Sequence, residues 1–367
     1  MTTENILTLI TTVEELRYYL VQAMKLEHAT IPPYLTALYS LKPGTNLEAF
    51  HIIRQVAVEE MLHLTLVANV LNAVGGDLEN TLTADDFVPR YPAFLPTGAT
   101  DFQVPLSKFS QETVAIFRQI ERSKEVPANT PLVKSRSFQK VEQVVLSILG
   151  LDRSYTFETI GLFYAEIIRG LNALYKEMGD ALFCGDPKRQ ITPEYYYSGG
   201  GDIIPVTDLR SAIRALRVIQ EQGEGSRVAT IYDAERELAH DFRFEQLAIG
   251  QYYVVDKDDP VKSDQPHHPT GEKFTVDWDA VYPIKDNAQL SDYPEGSELR
   301  TAALKFQTAY KDFLGDLENA FNGHPENLIP AVGTMFRLKE YVNQLVRNPI
   351  PGMNGVHAAP VFPQPRI

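Results

Sequence analysis

Val56-Ala-Val-Glu-Glu-Met-Leu-His-Leu-Thr-Leu-Val-Ala-Asn-Val-Leu71 is an apolar run interrupted only by Glu59, Glu60, His63, Thr65 and Asn69. It contains neither Gly nor Pro and sits inside a longer stretch, Leu47 to Val74, that Gly75-Gly76 brings to an end. The pattern predicts a buried helix. On that helix Glu60 and His63 stand three positions apart and share a face. A carboxylate and an imidazole placed among aliphatic side chains need compensation, and a divalent metal ion is a common one. Glu59 points about 100° away from Glu60 and is expected either at the surface or behind the ligands.

Upstream, Leu16, Tyr19, Leu20, Ala23, Met24, Leu26, Ile31, Tyr34, Leu35 and Leu38 recur at three- and four-residue steps. They predict a helix from Thr12 to about Leu41, kinked at Pro32-Pro33. Lys42-Pro-Gly-Thr-Asn46 is a short turn, so the two helices form an antiparallel hairpin. Glu27 lies as far before that turn as residue 61 lies after it, which places it level with Glu60 and His63. Glu48, three residues before His51, stays near the hairpin end, where an acid suits a helix N-terminus.

The Glu60-Met-Leu-His63 pattern returns as Glu237-Leu-Ala-His240, within a predicted helix from about Thr230 to Val255. A chain with 48 acidic residues and 8 histidines produces about one acid-x-x-His pair by chance, so the motif alone is weak. Of the two further pairs, Glu48 with His51 belongs to the hairpin end, and Asp264 with His267 spans Pro266 in a polar loop. Two Glu-x-x-His pairs on separate helices, joined by one Glu from each of two others, are the ligand set of ferritin-like di-iron or di-manganese carboxylate bundles. Glu27 supplies one of those. A helix predicted from about Ser154 to Phe183 supplies the other through Glu158, with Glu166 as the alternative. The expected metal ligands are therefore Glu27, Glu60, His63, Glu158, Glu237 and His240. Tyr34, Leu162, Phe163 and Phe244 flank them and are the expected lining of a substrate pocket.

The remaining chain adds a short helix from Gln111 to Arg122, another from Phe138 to Leu149, and an amphipathic one from Asp208 to Gln222. Two more run from Ser297 to Phe321 and from Leu328 to Val346, ahead of a proline-rich extended tail. No sustained strand alternation occurs. The expected fold is all-α, a ferritin-like four-helix bundle with additional helices and long irregular loops. Residues 1–255 form the di-metal bundle, and residues 256–367 form a linker, a two-helix extension and a tail packed on it.

A net charge of −14 disfavours nucleic-acid and acidic-membrane partners. Cys184 is the only cysteine, which excludes an intramolecular disulfide, a thiolate zinc site and a cysteine-ligated iron–sulfur cluster. With neither a secretion signal nor an apolar run long enough to span a bilayer, the expected location is the cytoplasm. Phosphate-cradling glycine loops and the Gly-x-Ser-x-Gly elbow are also missing.

Five stretches occur together and in order: Glu27-His-Ala-Thr-Ile-Pro-Pro-Tyr-Leu35, Val58-Glu-Glu-Met-Leu-His63, Asn72-Ala-Val-Gly-Gly76, Thr159-Ile-Gly-Leu-Phe-Tyr164 and Leu238-Ala-His-Asp-Phe-Arg-Phe-Glu245. Together they resemble the ferritin-like domain of the iminophenyl-pyruvate dimer synthase family. That domain occurs in enzymes that couple two oxidised tryptophan units on the way to violacein and indolocarbazole pigments. Those synthases are much longer chains, and the family often carries Glu where this sequence has Leu162. The resemblance implies a cofactor of two iron ions, with manganese as the other candidate. It further implies an oxidoreductase acting with O2 or peroxide on a small aromatic or amino-acid-derived metabolite, with room for a homo-oligomer. A non-catalytic iron-binding, storage or scaffold protein on the same bundle is the alternative.

Overall fold

The structure, a computed structural model, describes residues 8–97, 100–122, 134–135, 155–157, 159–224, 237–254 and 269–364. Helix α1 (Val13–Ser40) starts where Thr12 and Glu15 cap each other reciprocally, and α2 (Leu47–Ala73) returns beside it. Their packing surface is continuous because the apolar periodicity persists along both helices.

Four shorter helices form the two other walls of the bundle. Helix α3 (Gln111–Ile120) and α4 (Ile160–Met178) both pack on α1, whereas α5 (Leu209–Glu224) and α6 (His240–Ile249) both pack on α2. Across the bundle α3 meets α6 and α4 meets α5. Among the described residues each far wall is thus built from two helices, and the end of α3, the start of α4, the end of α5 and the start of α6 come together. The Gln220 side chain near the end of α5 donates to the Gly161 carbonyl at the start of α4 (2.8 Å).

The breaks fall between helices predicted as separate, but two of those helices have other bounds than predicted. Helix α4 begins at Ile160 because the Thr159 hydroxyl accepts the Leu162 N–H (3.1 Å), and it stops at Met178 because Gly179 turns to a φ of +59°. Helix α6 begins at His240, leaving residues 237–239 outside it, and Gly250 in the left-handed region ends it well before Val255. The predicted helix from Phe138 to Leu149 lies outside the described residues. Asp208 caps α5 by accepting the Ser211 N–H (2.7 Å).

On the other side of the α1–α2 hairpin lie α7 (Glu298–Phe321) and α8 (Leu328–Val346), packed on each other and on the hairpin. The tail is extended, and Phe362 seals this layer against Phe306 and Tyr310 at ring separations of 5.1 and 5.0 Å. The segment before α7 straps the hairpin turn: Asn46 exchanges hydrogen bonds with the Asp277 backbone, and Tyr282 N–H donates to the Ser40 carbonyl. Among the described residues the only strand pairing is two residues long, Lys134–Ser135 with Tyr155–Thr156. No helix among them is long and apolar enough to cross a membrane.

The chain after α4 returns tightly against the end of α2. Gly185 N–H donates to the Ala73 carbonyl (3.0 Å), and a Cβ at residue 185 would lie 1.7 Å from the Asn72 carbonyl oxygen. Gly185→Ala should therefore lower stability by about 1–3 kcal/mol through forced backbone displacement, read as an earlier denaturant midpoint.

Candidate metal centre

Glu60 is the middle of the site. On one side of it stand Glu27 and His63, and on the other Glu121 and His240. Within each group of three, one ligand atom per residue lies within 4.8 Å of the others. His63 Nδ1 is 3.2 Å from Glu27 and 3.8 Å from Glu60, and His240 Nδ1 is 3.2 Å from Glu60 and 3.4 Å from Glu121. The two imidazoles stack with centroids 5.7 Å apart. None of the five residues is more than 4% exposed.

Each carboxylate has a hydroxyl partner. Tyr164 donates to Glu27, Tyr34 donates to Glu121, and the Thr30 hydroxyl lies 2.9 Å from Glu60. Around Tyr34, the rings of Phe117 and Phe244 close the space at 4.6 and 5.5 Å.

The outer nitrogen of each histidine fixes its tautomer. His240 Nε2 lies 2.8 Å from Glu59, whose oxygens also take the Arg243 guanidinium at 2.9 and 3.0 Å. His63 Nε2 lies 2.7 Å from Gln222 Oε1, and the Gln222 amide nitrogen donates to the Gly200 carbonyl (3.0 Å), which sets the amide's orientation. Both Nε2 atoms face acceptors and so carry a proton, which turns each Nδ1 toward the carboxylate oxygens. His240 Nδ1 is buried without a hydrogen-bond partner. Lone pairs from imidazole and carboxylate converge this closely only around a cation, so the residues fit metal ions.

The same crowding shows in the proton affinities. Burial, then Glu121 and Glu27, push the Glu60 carboxyl up to about 8. Burial works to lower His63 and His240, yet the neighbouring carboxylates raise both, His240 well above the ordinary range. Burial opposes ionisation of Glu59 too, but His240 and Arg243 hold it down at about 2. Without metal, protons are the cations of this cluster.

The structure brings together Glu27, Glu60, His63 and His240 of the residues singled out in the sequence. Glu158 lies outside the described residues. Glu166 is buried elsewhere, accepting the Thr8 hydroxyl and the Leu9 N–H at 2.6 Å each and so tying down the N-terminal segment. Glu237 does not share a helical face with His240, because α6 starts after it. Its half-exposed side chain pairs instead with Arg243 and Gln55. Glu121, the C-cap of α3, was missed, although it follows Phe117 and Val114 at helical spacing and therefore falls on the buried stripe. Glu59 is buried behind His240 rather than at the surface.

The expected pocket residues are packed: Tyr34 and Phe244 form the roof just described, Phe163 packs on Tyr19, Phe157 and Tyr164, and Leu162 is buried. Two cavities among the described residues lie away from these side chains. An apolar one of about 60 Å³ separates the hairpin from α7 and α8, and an open one of about 730 Å³ is bounded by residues 193–205 and the start of α5.

Replacing Glu121 or His240 by Ala should lower metal content from about two ions per chain to about one, whereas Glu237→Ala and Glu166→Gln should leave it unchanged by elemental analysis. Because metal must displace protons held by Glu60 and the histidines, apparent affinity should rise from about pH 6 to about pH 9, with proton release visible calorimetrically in buffers of different ionisation enthalpy.

The profile of a family described as ferritin-like matches residues 20–249. A ferritin-like protein from Caulobacter vibrioides, known from a crystal structure, aligns over 96% of this chain and 99% of its own with a TM-score of 0.60 and 21% identity. No curated protein matches. The family profile spans more than half of the chain, and its limits enclose all five clustered side chains: the chain belongs to the ferritin-like family.

Proposed function

We propose that the protein is a non-haem di-iron oxidoreductase that acts with O2 or peroxide on a small aromatic or amino-acid-derived metabolite. The observation that carries this reading is the pair of buried carboxylate–histidine groups sharing Glu60, with His240 Nδ1 left unpartnered inside. Glu27 and His63 would hold one iron and Glu121 and His240 the other, with Glu60 common to both. Bound iron supplies one-electron redox chemistry and a site for oxygen, and manganese suits the same donors.

The chain's own residues support catalysis over storage. Each position has three protein donors, a number that leaves coordination open to small molecules. Three carboxylates offset three of the four charges of two divalent ions, so the centre favours an additional anionic ligand, as an amino-acid-derived carboxylate would be. Tyr34, Phe117 and Phe244 keep water off the Glu121 side, while Tyr164 and Tyr34 fix the outer carboxylates. The resemblance to the iminophenyl-pyruvate dimer synthases supports the choice of an aromatic amino-acid derivative.

Anaerobically purified protein loaded with ferrous iron should consume O2 faster than free ferrous iron, and an oxidised product should form when aromatic amino-acid derivatives are supplied. Uptake no faster than that of free iron overturns the reading. Uptake with iron accumulating far beyond about two per chain and no product points to storage.

A further inference from the structure

The two metal positions match in almost everything. Each has a glutamate held by a tyrosine hydroxyl, Tyr164 on Glu27 and Tyr34 on Glu121, one histidine facing inward through Nδ1, and a share of Glu60. They differ in what stands behind the histidine. His240 donates from Nε2 to Glu59, and His63 donates from Nε2 to a neutral amide, Gln222.

Glu59 is a carboxylate because Arg243 binds both of its oxygens, and Glu237 on the far side of Arg243 returns part of the negative charge. A carboxylate behind an imidazole makes it a stronger donor to a metal, and such partners change affinity about 10- to 100-fold. Gln222 cannot reverse its amide to imitate this, since its nitrogen is committed to the Gly200 carbonyl. The loop carrying that carbonyl is itself fixed: Gly200 has a φ of +79°, and a Cβ there would lie 2.9 Å from both Glu59 Cα and the Val58 carbonyl oxygen. One short stretch of α2 therefore supplies the carboxylate behind His240 and the surface that seats the amide behind His63.

We propose that the two positions fill in order, the His240 position first and more tightly because Glu59 backs its histidine, the His63 position second because Gln222 does. The inference rests on the di-metal reading above. Glu59 and Gln222 are positioning residues, acting through the histidines.

The test is a titration of the metal-stripped full chain with Mn(II), followed by calorimetry and electron paramagnetic resonance. In the wild type the first equivalent should give the spectrum of an isolated ion, the second should convert it to that of a coupled pair, and the two dissociation constants should differ about 10- to 100-fold. Glu59→Gln should bring the constants together by weakening the first step, and Gln222→Glu by tightening the second. His63→Ala should retain the tight step and His240→Ala should lose it. Equal constants with coupling from the first addition overturn the inference while leaving the di-metal reading standing, as does a Glu59→Gln variant weakened only in its second step. If Glu59→Gln unfolds because Arg243 is stranded, Gln222→Glu decides: a second step no tighter than in the wild type overturns it. Absence of Mn(II) binding in the wild type overturns both readings.

Discussion

Glu27, Glu60 and Glu121 bring three carboxyl groups into a space that water does not reach, and their mutual repulsion is the constraint around which this bundle is organised. Burial and the two neighbouring acids disfavour the ionised form of Glu60, whose proton affinity is raised. Tyrosine and threonine hydroxyls reduce the penalty by donating to the oxygens, and two imidazoles supply inward-facing nitrogen. What these groups cannot supply is fixed positive charge at the centre. A small cation placed among these groups would make up that deficit.

A wider ring of contacts keeps the inner groups from relaxing into a self-satisfied network. Had Glu59 or Gln222 been apolar, each imidazole could rotate or exchange its proton and quench the carboxylates internally. Instead, acceptors outside the centre claim the Nε2 protons. Arg243 performs a related service for Glu59, preventing a fourth buried acid from drawing a proton away. Stability is thereby exchanged for a preorganised site, as is usual where polar groups are buried for function.

How much of this could be read from the sequence depended on helix length. The α1–α2 hairpin was legible because its periodicity is long and its turn is marked by Pro43 and Gly44, and from that hairpin the matching heights of Glu27 and Glu60 follow. The other walls are short helices whose boundaries depend on single caps. Glu237-Leu-Ala-His240 reads as one helical face, yet the helix starts at its last residue, and periodicity carries no information on that point. Glu121 falls inside the predicted Gln111–Arg122 helix and on its apolar stripe, but with Lys124 and no histidine three positions on, it carries no Glu-x-x-His signal. The direction of Glu59 away from Glu60 was legible, but which element covers it depends on tertiary packing. Glu166 shows the converse: a buried acid on an apolar face engaged entirely in holding Thr8 and Leu9.

The interruption of both far walls at the level of the ligands has an evolutionary consequence. In an uninterrupted bundle, any insertion near the ligands shifts the helical phase of everything beyond it and scatters the donors. Here Glu121 is the C-cap of α3 and His240 is the first residue of α6, so each donor belongs to a helix that ends or begins at it. The phase of each of these two helices is therefore set from its donor outward and does not depend on the helix across the break. The helices on either side of each break can therefore differ in length while Glu121 and His240 keep their places.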